Sequence, residues 1–162
     1  MILEKIQSKI LLLSEAKKWR SEIALAGKKL VMTNGCFDIL HKGHITYLAK
    51  ARELGDFLIL AINSDSSVRE LKGPARPVTN EADRALILSS LVFIDSVVVF
   101  DTKRCDGIIS EIKPDIYAKG ADYNLQTMDK TEKAVLENIG CRIEFIAFVD
   151  GYSTTSIIRK MA

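Results

Sequence analysis

Apolar residues along this chain follow two successive rhythms. Near the start, Ile6, Ile10, Leu13, Ala16 and Trp19 recur at helical spacing, and a second helix is predicted over residues 14–26 with Gly27 as its C-cap. This opening segment is expected to be helical and to pack outside the core. From Lys29 the rhythm changes to short β-rich apolar runs, at residues 30–33, 57–63, 97–100, 116–118 and 143–148. Runs of this kind suit strands buried on both faces. Between them, helices are predicted over residues 45–54, 66–71, 81–91, 106–112, 129–139 and 154–161. Gly55, Pro114 and Gly140 stand where helices should stop.

Alternation of strand and helix predicts a Rossmann-like α/β three-layer sandwich around a five-stranded parallel sheet, with an N-terminal helical segment attached. The expected division is a helical segment over residues 1–27 and one domain over residues 28–162. A chain of 162 residues with 48% hydrophobic content is long enough for one real core and short for two. In such a sheet, ligands bind beyond the C-terminal strand edges near the switch in strand order, so chemistry is sought in the loops that follow the strands.

Composition narrows the function classes. With 23 Lys and Arg against 21 Asp and Glu, the net charge of +2 is too small for a protein built to hold a nucleic-acid backbone, and no nucleic-acid partner is expected. Cys36, Cys105 and Cys141 are odd in number and lack zinc or disulfide spacing, which fits a reducing cytoplasm. The first residues carry charges around an apolar run too short for a signal peptide or a membrane span, so no membrane partner is expected either.

The loop after the first strand carries the strongest chemical signal. It reads Thr33, Asn34, Gly35, Cys36, Phe37, Asp38, Ile39, Leu40, His41, Lys42, Gly43, His44, and a helix follows. Gly35 permits close backbone approach. Gly43 and His44 fall at a helix N-terminus, where free N–H groups and the helix dipole favour an anion. His41 and His44 are the chain's only histidines. Both can face one anion and donate hydrogen bonds to phosphoryl oxygens as charge builds there. Helix capping or a partial metal site is the simpler reading of the pair. A zinc site would need a third ligand, and no HExxH or cysteine cluster supplies one, so no protein metal site is expected.

The segment NGCFDILHKGH resembles the signature of the cytidylyltransferase-like HxGH nucleotidyltransferases, and the resemblance runs from about Lys29 to the C-terminus. Within that family, NSDSSVRELKGPARPVTNEADR, KGADY and DGYSTTSIIRK are similar to the adenylyltransferase domains that make ADP-heptose from ATP and D-glycero-β-D-manno-heptose 1-phosphate. The resemblance implies an enzyme that transfers AMP from ATP to a sugar phosphate, with Mg²⁺ on the triphosphate. Polyol-phosphate cytidylyltransferases carry a basic residue shortly before the STT segment, where this chain has Asp150 and Gly151. That departure points toward the heptose branch. A cytidylyltransferase for glycerol 3-phosphate and a nucleotide-binding module without catalysis stay open as rivals.

Site roles follow from these motifs. His41, His44 and Lys119 are the expected catalytic residues, the histidines serving the α-phosphate and leaving group and Lys119 a nucleotide phosphate. Thr33, Asn34, Gly35, Cys36, Phe37, Gly43, Arg76, Gly120, Ser153, Thr154 and Thr155 are expected around the nucleotide. Arg76 is suited to phosphate by its guanidinium fork, and the three hydroxyl residues open a second helix N-terminus. Asp38, Asn63, Asp65, Lys72 and Asp122 are expected toward the acceptor, Asp38 touching either the acceptor or the metal. Asp65 also fits a helix cap, Lys72 a solvated surface loop, and Arg84 is expected to brace its loop through an ion pair. Ala121 stands where the resembling domains have glycine, which matters only if that position needs positive φ. The apolar stripe of the opening segment fits either packing on its own domain or a homodimer contact.

Overall fold

A computed structural model describes residues 1–162. Five parallel strands form one sheet: β1 (Leu30–Gly35), β2 (Phe57–Asn63), β3 (Ser96–Phe100), β4 (Ile116–Gly120) and β5 (Arg142–Ile146), in the order β3-β2-β1-β4-β5. The helices are α1 (Ile2–Gln7), α2 (Leu13–Leu25), α3 (Lys42–Arg52), α4 (Asp65–Lys72), α5 (Glu81–Ser89), α6 (Asp106–Ile112), α7 (Lys130–Asn138) and α8 (Thr154–Met161). The chain steps outward from central β1 to β2 and β3, then returns to β1's other edge for β4 and β5. The switch point therefore lies between β1 and β4.

Alternation along the buried strands divides the core between the two sheet faces. Leu30 and Met32 of β1 face one way, with Ile59, Val98, Tyr117 and the apolar sides of α2, α6 and α7. Val31 faces the other way, with Leu58, Leu60, Ile62, Ile116 and the apolar sides of α3 and α5. Burial on both faces is the reason the strands read as continuous apolar runs.

The N-terminal segment departs from expectation. Ala16 and Ile23 of α2 are buried in the core, and Trp19 packs edge-on against Phe57 with ring centroids 5.6 Å apart. The segment therefore forms part of a helical layer instead of packing outside the core. The helix predicted through Ile10 is also interrupted. Residues 9–11 run beside β3: Leu11 N–H donates to Val97 O and Val97 N–H to Lys9 O, each at 2.9 Å. Lys9 Nζ adds a 2.8 Å bond to Ile94 O. These bonds occupy part of an edge strand that would otherwise present unpaired backbone groups.

Other boundaries move modestly. Helix α3 starts at Lys42, bringing Gly43 and His44 into its first turn, with His41 as N-cap. Strand β4 extends through Lys119 and Gly120, and β5 ends at Ile146, leaving residues 147–153 as a loop over the cleft.

Candidate active site

The C-terminal ends of β1, β2 and β4, the loop after β5 and the starts of α3 and α8 surround a cavity of about 620 Å³. His41 and His44 face into it. Their rings stack with centroids 3.8 Å apart and planes 23° from parallel, and the Nδ1 atom of each is buried without a hydrogen-bond partner. Gly43 makes this packing possible, since a Cβ there would lie 3.0 Å from His41 Cε1 and Nδ1. Burial, with the neighbouring His41 second and the Ile39 backbone opposing, pushes His44 down to about 4; burial also lowers His41. Both imidazoles are thus biased to the neutral form near pH 7, with a helix start beneath them.

Phe37 holds the first loop in shape. It adopts positive φ (48°), is buried, and sets its ring edge-on to His44 at 5.2 Å. The ring lies over Gly35, where a Cβ would come within 2.9 Å of Phe37 Cε2. Two buried tyrosines fix the strand end below. Tyr47 and Thr33 share a 2.9 Å hydroxyl bond, and Tyr117 donates to Asn34 Oδ1. Neither tyrosine stood out in the sequence, because each lies on an apolar face.

At the opposite wall, Lys119 Nζ pairs with Glu132 Oε1 at 2.6 Å and sits 4.7 Å from the Tyr123 ring centroid. Gly120 leaves no room for a side chain: its Cβ would fall 2.1 Å from Phe148 Cε2. Phe148 stacks on Tyr47 at 5.3 Å. Ala121 is not among the positive-φ residues, so its departure from glycine leaves the loop's shape intact. Ser153 caps α8, its hydroxyl accepting from Ser156 N–H at 3.0 Å, while Thr154 Oγ1 donates to Ile39 O at 3.3 Å and ties α8 to the first loop. Thr155 also lines the cavity.

A model of the cytidylyltransferase-like family matches residues 32–160, most of the chain. The chain belongs to the cytidylyltransferase-like family. It is 52% identical over 134 residues to the bifunctional protein HldE of Campylobacter concisus, covering 83% of this chain and 27% of that protein. It is 49% identical over 149 residues to the HldE of Pelobacter propionicus, covering 92% of this chain and 29% of that protein. The chain thus spans less than a third of these curated relatives' length. Among solved structures, a lipopolysaccharide core biosynthesis protein from Thermoplasma volcanium aligns with TM-score 0.63 and 30% identity, over 78% of this chain and all of that one. A pantoate-beta-alanine ligase from Francisella tularensis aligns with TM-score 0.61 over 92% of this chain and 75% of that one; at 13% identity the likeness is one of fold. As a cytidylyltransferase-like protein the chain is a nucleotidyltransferase.

Of the residues expected at the acceptor end, Asp65 lies off the cavity, and Asp38 is engaged in contacts within the protein. Asp38 lines the cavity, yet its carboxylate is spent: Oδ2 pairs with Arg76 Nε at 2.6 Å, and Oδ1 accepts from Val78 and Thr79 N–H at 2.9 Å. Burial alone would raise it, but the Thr79 and Val78 N–H groups and Arg76 together hold it below the usual carboxylate range. Asp38 thus braces the loop carrying Arg76 from a place on the cavity wall. Arg76, expected on the triphosphate, still lines the cavity but gives its Nε to that brace.

Asp65 does not line the cavity at all. It pairs with Arg84 Nη2 at 2.8 Å, and Ser64 takes the N-cap position. Arg84, essentially inaccessible to solvent, also donates to Thr79 O, Cys36 O and Asn63 O, joining the ends of β1 and β2 to the loop before α5. Asn63, Cys36, Lys72 and Asp122 remain on the cavity wall, with Cys36 Sγ placed 3.8 Å from Asn63 Oδ1. Burial pushes the Cys36 thiol up, away from a nucleophile's setting.

Proposed function

We propose that this nucleotidyltransferase transfers AMP from ATP to D-glycero-β-D-manno-heptose 1-phosphate, giving ADP-heptose and pyrophosphate. The transfer domain is read as residues 28–162, with residues 1–27 a helical segment packed on it. The observation that carries the reading is the stacked, neutral His41–His44 pair, with unpaired buried nitrogens, in one cavity with Lys119 and the N-terminus of α8. The motifs surrounding this cavity are those that resemble ADP-heptose-forming domains. Support for a surface-glycan precursor comes from the Thermoplasma volcanium protein, which is described as a lipopolysaccharide core biosynthesis protein. ATP has a parallel in the Francisella tularensis ligase, solved with an ATP analogue on the same fold.

The chemistry is a single in-line displacement. A phosphate oxygen of the sugar phosphate forms a bond to the α-phosphorus of ATP, the bond from that phosphorus to the α,β-bridging oxygen breaks, and pyrophosphate leaves with the electron pair. The nucleophile is already an anion near pH 7, so catalysis reduces to positioning and charge stabilisation. His41 and His44 donate to the α-phosphate and the developing charge on the leaving group. Ser153 and Thr155 present hydroxyls, and the first turn of α8 its amide donors, to the outer phosphates.

No three His, Cys, Asp or Glu residues group into a metal cage, and Asp38 has its oxygens occupied. The chain's residues do not fit a resident metal ion. Mg²⁺ would enter as the salt of the triphosphate, part of the substrate. No helix is long and apolar enough to cross a membrane.

A pyrophosphate-release assay crossing ATP and CTP with heptose 1-phosphate and glycerol 3-phosphate tests the proposal. Turnover is expected only with ATP and the heptose phosphate. Preference for CTP with glycerol 3-phosphate would replace it with the rival cytidylyltransferase reading, and no product with any pair would leave a binding module.

A further inference from the structure

The Lys119–Glu132 pair contains a residue that no motif announced. Lys119 stands one residue before the end of β4 and lines the cavity, whereas Glu132 approaches from behind, in the first turn of α7, and does not line it. Both side chains are largely buried, 13% exposed for Lys119 and 11% for Glu132. The carboxylate is itself well placed: Asp129 Oδ1 caps α7 by accepting from the Thr131 and Glu132 N–H groups, and the helix N-terminus favours negative charge. Lys119 Nζ is then held between Glu132 and the Tyr123 ring. An ammonium has three donors, and Glu132 takes one, leaving the others for an anion in the cavity.

Stability alone does not account for the arrangement, because burying an ion pair seldom gains more than apolar packing of the same volume would. Placed at a cavity wall, however, the pair holds a largely buried lysine in a fixed position before any ligand arrives. Without the carboxylate, the side chain is free to turn out to water.

We infer that Glu132 is a positioning residue for nucleotide binding, acting through Lys119. The inference rests on the reading of Lys119 as a phosphate contact, and the test separates the two. KM and kcat for ATP, together with urea stability, are measured for wild type, Lys119→Met, Glu132→Gln and the double variant. Lys119→Met is expected to raise the KM for ATP at least tenfold. Glu132→Gln is expected to raise it about tenfold, the scale of one charged hydrogen bond, with a smaller change in kcat. In the Lys119→Met background, Glu132→Gln is expected to have no further effect on KM.

If Lys119→Met behaves like wild type, the reading of Lys119 fails. If Lys119→Met is impaired while Glu132→Gln is not, or if Glu132→Gln costs the same factor in both backgrounds, the positioning role is overturned. Should Glu132→Gln not fold, Glu132→Asp carries the same comparison, and Lys119→Met with Glu132→Met, which removes both charges, provides the folded reference.

Discussion

His41 and His44 stack at 3.8 Å across Gly43, and each keeps Nδ1 buried and unpaired. Two such groups side by side are a poor use of a core and a good use of an anion site, since a buried polar atom without a partner costs free energy until a ligand meets it. Replacing His44 with Ala should lower kcat by about 10²–10³-fold, the worth of one charge-stabilising donor in a transfer reaction. Far-ultraviolet circular dichroism should show the fold unchanged. Near-normal turnover would remove the residue from the mechanism.

Acid should destabilise the fold through the same residue. His44 is held at about 4 in the folded state against 6.5 as its ordinary value. Above pH 6.5 the ring is neutral folded or unfolded and contributes nothing. Between there and about 4 only the unfolded chain takes up the proton, so stability falls across that window. At about 1.4 kcal/mol per pH unit, discounted for partial solvent access, the loss is roughly 2 kcal/mol. Urea midpoints at about pH 7.5 and about pH 5 should diverge more for wild type than for His44→Ala. Equal slopes would contradict the assignment.

Asp38 and Arg76 form a brace 38 residues apart in sequence. Asp38→Asn should leave the Val78 or Thr79 N–H poorly satisfied and free Arg76, costing about 2–4 kcal/mol in a urea titration and loosening the loop. KM for nucleotide should rise with it. A stable variant with impaired acceptor kinetics alone would place Asp38 in the acceptor role expected from sequence.

Arg84 should be among the most costly single residues to remove. Arg84→Met would strip partners from Thr79, Cys36 and Asn63 carbonyls and from the Asp65 carboxylate, with an expected loss of about 3–5 kcal/mol. Asp65→Asn should cost less, because Arg84 keeps its three carbonyls. Thermal or urea unfolding of both variants checks the order.

The contrast between these residues explains what could be read from the chain itself. Buried parallel strands announce themselves as apolar runs, so the sheet and the loops after its strands were legible, as was the histidine loop after β1. Charged partners distant in sequence were not. Nothing near Asp65 marks it as belonging to Arg84, and nothing near Lys119 marks Glu132, because those pairings follow from helix packing. The opening segment misled for a related reason: Ile10 continues a helical spacing, but its backbone is captured by β3, and Ala16 and Ile23 find the core. Tyr47 and Tyr117 were hidden by their apolar surroundings, although their hydroxyls set the floor of the site.

A crystal structure with a non-hydrolysable ATP analogue tests the central claim most directly. The phosphates should lie within hydrogen-bonding distance of His41, His44 and the α8 N-terminus at Ser153. Phosphates bound elsewhere, with both imidazoles still unpaired, would contradict it.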